Sequence, residues 1–294
     1  MLHGARAAAI VADEPASLDP PREFAFSEAD FRGLAQFAHE HAGIALADSK
    51  RNLVYSRLAR RLRALGLTSF RDYREYLAEN PSELEGFINA ISTNLTKFFR
   101  EAHHFEHFRT HVAAAFAQGG AGRRRLRVWS AGCSTGEEPH TIAVVLKREI
   151  RDIERHDVRI LATDIDTDVL AKGAQGEYPV NSVDDVPGIY RESFRPAGEN
   201  RKSETVVVAD EVRSLIAFRR LNLMERWPFS GKFDAIFCRN VMIYFDGATK
   251  SALVERFTQQ IRPGGWLYIG HSESLIGTHP GLQLVGRTIY RRNA

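Results

Sequence analysis

The chain has 294 residues, of which 44% are hydrophobic and 26% are charged, which is enough apolar material for two modest domains. A net charge of +3 does not imply a polyelectrolyte partner recognised by overall charge, and two cysteines are too few for a disulfide framework or a zinc cluster. We therefore expect a protein of the reducing cytoplasm. No apolar run approaches the roughly 20 residues of a membrane span, so no membrane insertion is expected. Residues 1–22 predict a disordered tail because their apolar run, 7–12, is short and acids follow it.

Residues 23–99 predict an all-helical N-terminal domain. Phe31, Leu34 and Phe37 recur at helical spacing, and the pattern predicts further helices over 49–65, 69–80 and 82–99. Residues 100–125 become glycine-rich and then basic toward their end, and we interpret them as the linker between two domains.

Residues 126–294 alternate between apolar strand patterns and helical patterns, which favours an α/β fold with a doubly wound parallel sheet. The sequence around Gly286 predicts a terminal β-hairpin. Residues 176–214 break the alternation with three prolines and the short run TVVVAD, and they predict a small β-containing insertion.

The first predicted strand leads into the turn SAGCSTGEEP, residues 130–139, at the start of a helix. Such a turn suits a cofactor site at the carboxyl end of a parallel sheet. However, Glu137 and Glu138 would repel a pyrophosphate and favour a ligand that carries an ammonium or sulfonium charge, such as S-adenosylmethionine. An equally simple interpretation is that both acids complement the helix dipole.

Polar residues also follow the next three predicted strands, at Asp164, Asn222-Leu223 and Arg239-Asn240. An acid at the tip of the second strand can accept hydrogen bonds from ribose hydroxyls. Asp164 also begins a D-x-D-x-D pattern, but a calcium loop requires glycine where Val169 stands and glutamate where Gln175 stands, so we reject calcium.

The run His103 to His107 matches the zinc-protease motif H-x-x-E-H. No later acidic ligand accompanies it, so we predict no metal and interpret the run as an exposed helix face.

The predicted helix over 49–65 carries a basic arc, which is formed by Lys50, Arg57, Arg60 and Arg61. Such clusters are often solvated faces, but this arc contains no acid, so we expect an acidic partner. Aromatic residues are too sparsely interleaved with it to predict a nucleic-acid surface.

Five segments together resemble the CheR-type chemotaxis receptor methyltransferases: SKRNLVYSRLARRLRALG, NLTKFFREAHHF, STGEEPHTIA, ATDIDTDVL and FDAIFCRNVMIYF. The resemblance runs from about Phe24 to Tyr290. It implies an all-helical domain followed by a Rossmann-like methyltransferase domain with an inserted β-subdomain. It also implies that S-adenosylmethionine is converted to S-adenosylhomocysteine while glutamate side chains of chemoreceptors become methyl esters.

The resemblance further implies cofactor contacts from both domains, at Asn94, Thr96, Arg100, Glu137, Asp164, Asn222, Leu223, Arg239 and Asn240. In some family members the β-subdomain binds a tether peptide of the receptor through a glycine-rich loop. The corresponding residues 195–204 contain one glycine here. The basic arc would then face acidic helical segments of the receptor.

A glutamate carboxylate is ionised at neutral pH, so methyl transfer to it requires no general base. We assign positioning of the cofactor carboxylate to Arg100, through a forked ion pair. Tyr244 either lines the methyl-transfer pocket or is simply an aromatic residue that packs against its neighbours, and the sequence does not favour the first over the second. Three alternatives remain at this stage: a methyltransferase of the same fold with another substrate, a non-catalytic module that binds the cofactor, and the zinc protease.

Overall fold

The computed structural model describes residues 22–120, 122, 124–198, 203–275 and 279–294. The predicted tail therefore lies outside the described residues, except for Arg22. No helix of the described residues is long and apolar enough to cross a bilayer.

The N-terminal part is all-helical and has its own core. Its helices are α1 (Glu28–Ala42), α2 (Arg51–Leu65), α3 (Phe70–Glu79) and α4 (Glu83–Ile91). Phe31, Leu34, Leu58 and Phe87 are fully or almost fully buried there, as expected when apolar residues recur along one helix face. Ser27 begins α1 with a reciprocal capping box, and Gly43 and Gly66 end α1 and α2 in left-handed conformations.

The prediction of a helix over 82–99 is wrong in its second half, since α4 ends at Ile91. Ser92 adopts an extended conformation, and its hydroxyl bonds back to the Ile88 carbonyl. The Arg57 guanidinium donates to the carbonyls of Ile91 and Ser92 at the end of α4, at 2.8 and 2.7 Å. Residues 92–97 then run on as a loop.

The stretch predicted as a linker, 100–125, is helical over most of its length. It contains α5 (Ala102–Phe108), a π-helical turn (Arg109–Ala113) and α6 (Ala114–Ala117). Phe105 and Phe108 are buried, and both rings pack against Phe237 of the sheet, with centroids 5.8 and 5.5 Å apart. The glycines and arginines that suggested a linker occupy only its end, from residue 119 onward.

The second part is a seven-stranded sheet with helices on both sides, and it confirms the α/β fold class. Its elements in chain order are β1 (Arg125–Ala131), α7 (Glu137–Glu149), β2 (Asp157–Asp164), α8 (Thr167–Gln175), β3 (Glu177–Pro179), β4 (Phe194–Pro196), β5 (Thr205–Val208), α9 (Asp210–Arg213), β6 (Ile216–Arg220), β7 (Phe233–Cys238), α10 (Gly247–Gln260), β8 (Ile261–Ile269), β9 (Leu282–Gly286) and β10 (Ile289–Arg292).

The strand order in the large sheet is β6-β2-β1-β7-β8-β10-β9. The first five strands of that order are parallel, and β10 and β9 form the antiparallel hairpin predicted around Gly286. The inserted strands form a separate antiparallel sheet in the order β3-β5-β4, within the predicted insertion. Because β6, β2, β1, β7 and β8 are parallel, their carboxyl ends meet at one edge.

Candidate functional site

A cavity opens at the carboxyl edge of the parallel strands, where the loop after α4 covers it. Strand tips supply one wall, and the helical part supplies the other. The residues that line it are Ala42, Ile44, Ala45, Leu46, Lys50, Leu53, residues 91–97, Arg100, residues 132–134, Glu138, Asp164, Ile165, residues 221–223, residues 239–241, Tyr244 and Phe245. The two sequence-predicted domains therefore share a single cavity.

Asp164 is held at the tip of β2 by backbone donors. Its carboxylate accepts hydrogen bonds from the backbone N–H of Ser134 at 2.8 Å and of Asp166 at 3.1 Å. Burial raises the pKa of Asp164, although these backbone hydrogen bonds oppose the rise. The carboxylate is thus fixed as an acceptor facing the cavity, in the place expected for a ribose contact.

Asn94, in the loop after α4, forms two hydrogen bonds with residues beyond the strand tips, one as a donor and one as an acceptor. Asn94 donates its side-chain amide to the Asp166 carboxylate at 2.7 Å, and its carbonyl accepts from the Ser134 hydroxyl at 2.9 Å. The predicted cofactor residues Asn94 and Thr96 both line the cavity from this loop. A segment of the helical part consequently completes a site built on the sheet.

Arg239 lies in a buried network of charges at the tip of β7. It forms ion pairs with Glu138 at 3.0 Å and with Glu101 at 3.3 Å, and it donates to the Arg100 carbonyl. Burial raises the pKa of Glu138, whereas Arg239 and a hydrogen bond from Ser130 oppose that rise. Two carboxylates share one guanidinium, and one of them, that of Glu138, also lines the cavity.

Asn222 and Leu223 line the cavity at the tip of β6. The Asn222 amide donates to the carbonyl of His41 at the end of α1, at 2.7 Å, and its oxygen accepts from the Met224 backbone at 3.0 Å. This contact joins a second strand tip to the helical part.

Residues 94–290 match the family described as CheR methyltransferase, SAM binding domain, and residues 29–92 match the CheR methyltransferase all-alpha domain. The larger match alone covers more than half of the chain. This chain belongs to the CheR methyltransferase family.

Full-length relatives of this family member include Chemotaxis protein methyltransferase 2 of Pseudomonas aeruginosa, which is 42% identical over 271 residues, 92% of this chain and 95% of the relative. The chemotaxis protein methyltransferase of Escherichia coli is 40% identical over 279 residues, 93% of this chain and 94% of the relative. That of Salmonella typhimurium is 40% identical over 276 residues, 93% of each chain. The resemblance drawn from the five sequence segments is confirmed.

Of the cofactor residues predicted for this CheR family member, the cavity brings together Asn94, Thr96, Arg100, Asp164, Asn222, Leu223, Arg239 and Asn240. Glu137 differs: among the described residues that line the cavity, Glu138 is present and Glu137 is not. The Glu137 carboxylate instead accepts from the Thr135 hydroxyl at 2.7 Å. Adjacent residues on a helix point about 100° apart, and the sequence alone did not determine which glutamate faces inward.

The basic arc of α2 is not free of acids, contrary to the sequence-based expectation. Arg61 forms a two-pronged ion pair with Glu83 of α4, at 2.9 and 2.5 Å, and Tyr73 donates to the same carboxylate at 3.0 Å. Arg57 holds the carbonyls at the end of α4. Lys50 and Arg60 are exposed, and Lys50 also lines the cavity.

The interpretation of His103 to His107 as an exposed face is wrong for part of the run. His104 is fully buried and bonds to the Thr288 hydroxyl at 3.0 Å, while the partly buried His107 bonds to the Tyr268 hydroxyl at 3.0 Å. Among the described residues, no group of three or more His, Cys, Asp or Glu side chains is arranged to hold a metal ion.

Proposed function

We propose that this chain transfers a methyl group from S-adenosylmethionine to glutamate side chains of bacterial chemoreceptors and forms glutamate methyl esters. Membership of the CheR methyltransferase family supports the reaction class and the cofactor. The relatives are chemotaxis protein methyltransferases, which supports a protein of the chemotaxis system as the substrate. A cytoplasmic site of action is part of the proposal. The observation that carries the proposal is the cavity itself, where strand tips and the α4 loop enclose polar groups.

The residues of the cavity fit S-adenosylmethionine by their chemistry. Asp164 would accept from the ribose hydroxyls, because its oxygens are already oriented by backbone donors. Arg100 uses one donor on the Leu95 carbonyl at 2.8 Å, and its remaining donors would pair with the methionine carboxylate. The Glu138 carboxylate, which lines the cavity, would lie near the cationic end of the cofactor.

When bound, S-adenosylmethionine supplies a methyl group activated by a positive sulfonium. The acceptor glutamate is already an anion at neutral pH, so the chain need supply no base. Water stabilises separated ions more than the transition state, in which their charges disperse, and exclusion of water therefore favours the transfer. The loop 92–97, anchored through Asn94, would exclude water and align the two reactants.

Tyr244 is proposed to line the side of the cavity where the acceptor enters. It ends a 3₁₀ turn, Met242–Tyr244, that follows the tip of β7, and its hydroxyl lies 3.5 Å from the Thr93 carbonyl. The ring is half-buried and lines the cavity. Its proposed role is to position the acceptor, not to exchange a proton.

We propose that acidic helical segments of the receptor dock against the exposed part of the basic arc, at Lys50 and Arg60. Arg57 and Arg61 support this surface from behind, since their guanidinium groups bind α4 and its end. A tether peptide at the β-subdomain stays a prediction. Residues 199–202 of the loop concerned lie outside the described residues.

The decisive experiment incubates the protein with S-adenosylmethionine labelled in its methyl group and with receptor-rich membranes. We expect label on the receptor that mild base releases as methanol, because carboxyl methyl esters hydrolyse in base. Membranes whose receptor has glutamine or alanine at its methylatable glutamates provide the control and should stay unlabelled. Base-stable label, or label on other proteins only, would refute glutamate esterification of receptors.

A further inference from the structure

The loop that follows β8 places one buried carboxylate among backbone donors. Glu273 is 6% exposed, and its side chain accepts hydrogen bonds from three backbone N–H groups. These belong to Gly270 at 2.6 Å, Asn240 at 2.9 Å and Ile243 at 3.1 Å. A carboxylate that accepts several backbone hydrogen bonds holds its surroundings in one arrangement, since each bond to a charged acceptor is stronger than a neutral one.

Two of the three donors belong to the turn that leaves β7. Asn240 has φ +59°, a left-handed conformation that costs free energy for a residue with a side chain. Glu273 binds that turn at both ends, at Asn240 and at Ile243, and so stabilises the strained conformation. The same turn brings Asn240 and Tyr244 to the cavity.

The loop after β8 also contacts Glu101, which follows the cavity residue Arg100. The His271 backbone N–H lies 3.2 Å from the Glu101 carboxylate, and its ring Nδ1 lies 2.9 Å from the same oxygen. Glu101 also has φ +59°, and it directly follows Arg100. Residues 270–273 therefore connect two strained turns, each adjacent to a residue that lines the cavity.

Gly270 permits the close approach on which this arrangement depends. A Cβ atom there would lie 2.7 Å from a Glu273 oxygen and 2.8 Å from the Asn240 backbone nitrogen. These two atoms form one of the hydrogen bonds of the turn, so neither can move away without weakening it. The two strand tips, Cys238 of β7 and Ile269 of β8, are paired directly before this junction.

We propose that Glu273 is a positioning residue for S-adenosylmethionine, and that it acts by fixing the turn that presents Asn240 and Tyr244. The proposal rests on the proposed function for the identity of the ligand. Glu273 does not line the cavity among the described residues, so its effect passes through the backbone of the turn.

The test replaces the carboxylate by an amide in Glu273→Gln, which keeps the size but sets an NH₂ group against backbone donors. Asp234→Asn is the matched control. Asp234 lies at the opposite end of β7, where its carboxylate accepts from the Arg127 backbone at 2.7 Å and pairs with Arg262 at 2.6 Å. Calorimetry with S-adenosylhomocysteine, thermal unfolding, and kinetics with receptor membranes are measured for both variants and the wild type.

We expect Glu273→Gln to weaken S-adenosylhomocysteine binding by about tenfold or more and to raise the cofactor KM, because the turn loses charged hydrogen bonds. Receptor methylation at saturating cofactor should slow as well, because the same turn presents Tyr244, whose proposed role is to position the acceptor. Asp234→Asn should lower the unfolding temperature with a Kd within about twofold of wild type. If the two variants change the Kd equally, or if Glu273→Gln binds like wild type, the positioning role is overturned.

Failure of the wild type to bind S-adenosylhomocysteine would overturn the proposed function instead, so the two failures are distinguishable. If Glu273→Gln does not fold, Glu273→Asp takes its place, because it keeps the charge and shortens only the reach. The same loss of affinity is then expected, and a Kd within about twofold of wild type would overturn the proposal.

Discussion

Asn94, in the loop after α4, donates a 2.7 Å hydrogen bond to the carboxylate of Asp166, beyond β2. The other Asp166 oxygen accepts from the backbone N–H groups of Asp168 and Val169 and caps α8. Asp164, two residues earlier, faces the cavity and holds the Ser134 backbone. We therefore propose different tasks for the two neighbouring acids: Asp164 would present an acceptor to the ligand, whereas Asp166 fixes a helix and a loop.

This division predicts different losses for two similar substitutions. Asp164→Ala should weaken cofactor binding by about 1–3 kcal/mol, because a ligand hydrogen bond is left unsatisfied. Asp166→Ala should lower the free energy of unfolding by about 1 kcal/mol through loss of the α8 cap, with a smaller effect on affinity. Calorimetry and urea unfolding of both variants separate the two effects. A larger loss of affinity in Asp166→Ala would show that the roles are exchanged.

Arg61 belongs to the basic arc that the sequence assigned to receptor docking, but its pairing with Glu83 predicts a structural role instead. Arg61→Ala leaves the buried Glu83 carboxylate without its guanidinium. We expect the free energy of unfolding to fall by about 2–3 kcal/mol, below the range for fully buried pairs because Arg61 keeps some solvent contact. Arg60→Ala, at the adjacent exposed position, is the control and should change stability by less than about 0.5 kcal/mol. If Arg61→Ala and Arg60→Ala have the same free energy of unfolding in urea, the pairing of Arg61 with Glu83 is contradicted.

Periodicity predicted most of the fold, and the polar residues at strand tips predicted one wall of the cavity. The cofactor residues of the other wall, Asn94, Thr96 and Arg100, were implied only by the family resemblance. Asp164 and Asn240 were both predicted to follow strands, and they share one edge because parallel strands end together. The Arg61–Glu83 pair was missed because the pattern along one helix contains no information about a carboxylate 22 residues away. Glu273 was missed for a similar reason, since its three donors are backbone groups that any sequence carries.

Buried histidines make stability depend on pH. Burial lowers the pKa of His140 to about 3 from an ordinary value of 6.5. The unfolded chain therefore binds a proton that the folded chain does not bind, so His140 lowers stability as pH falls from 6.5 toward 3, by about 1.4 kcal/mol per pH unit. His104 and His107, whose pKa values burial lowers to about 3 and about 4, act with the same sign.

Below pH 6.5 the variant His140→Gln should take up about one proton fewer on unfolding than the wild type does. Its free energy of unfolding should therefore fall less steeply as the pH is lowered. Urea unfolding of the variant and the wild type at several values between about pH 7 and pH 5 gives the difference in slope. His41→Gln, at an exposed position, is the control. Parallel stability curves for His140→Gln and wild type would refute a buried neutral imidazole.

Receptor docking on α2 should depend on the exposed charges of the basic arc. Arg57 and Arg61 are committed to α4, so reversing their charges would damage the fold and would not test recognition. The sharper variants reverse the exposed charges, as Arg60→Glu alone and combined with Lys50→Glu. Apposed helices of opposite charge gain a modest free energy for each exposed pair, and reversal replaces this attraction by repulsion.

We expect the double variant to lower kcat/KM for receptor by about tenfold at low salt, while its unfolding temperature stays that of wild type. Wild-type activity should fall as salt rises, because exposed charges are screened, and the variant should respond less. Arg60→Glu does not touch the cavity, so it should bind S-adenosylhomocysteine normally and lose part of the receptor rate. Lys50 lines the cavity, so its substitution could also weaken cofactor binding. Calorimetry with S-adenosylhomocysteine on each variant distinguishes that effect from a loss of receptor docking. Normal receptor methylation by both variants at low salt would mean that this face of α2 is only solvated, and recognition would then have to lie elsewhere, such as at the β-subdomain.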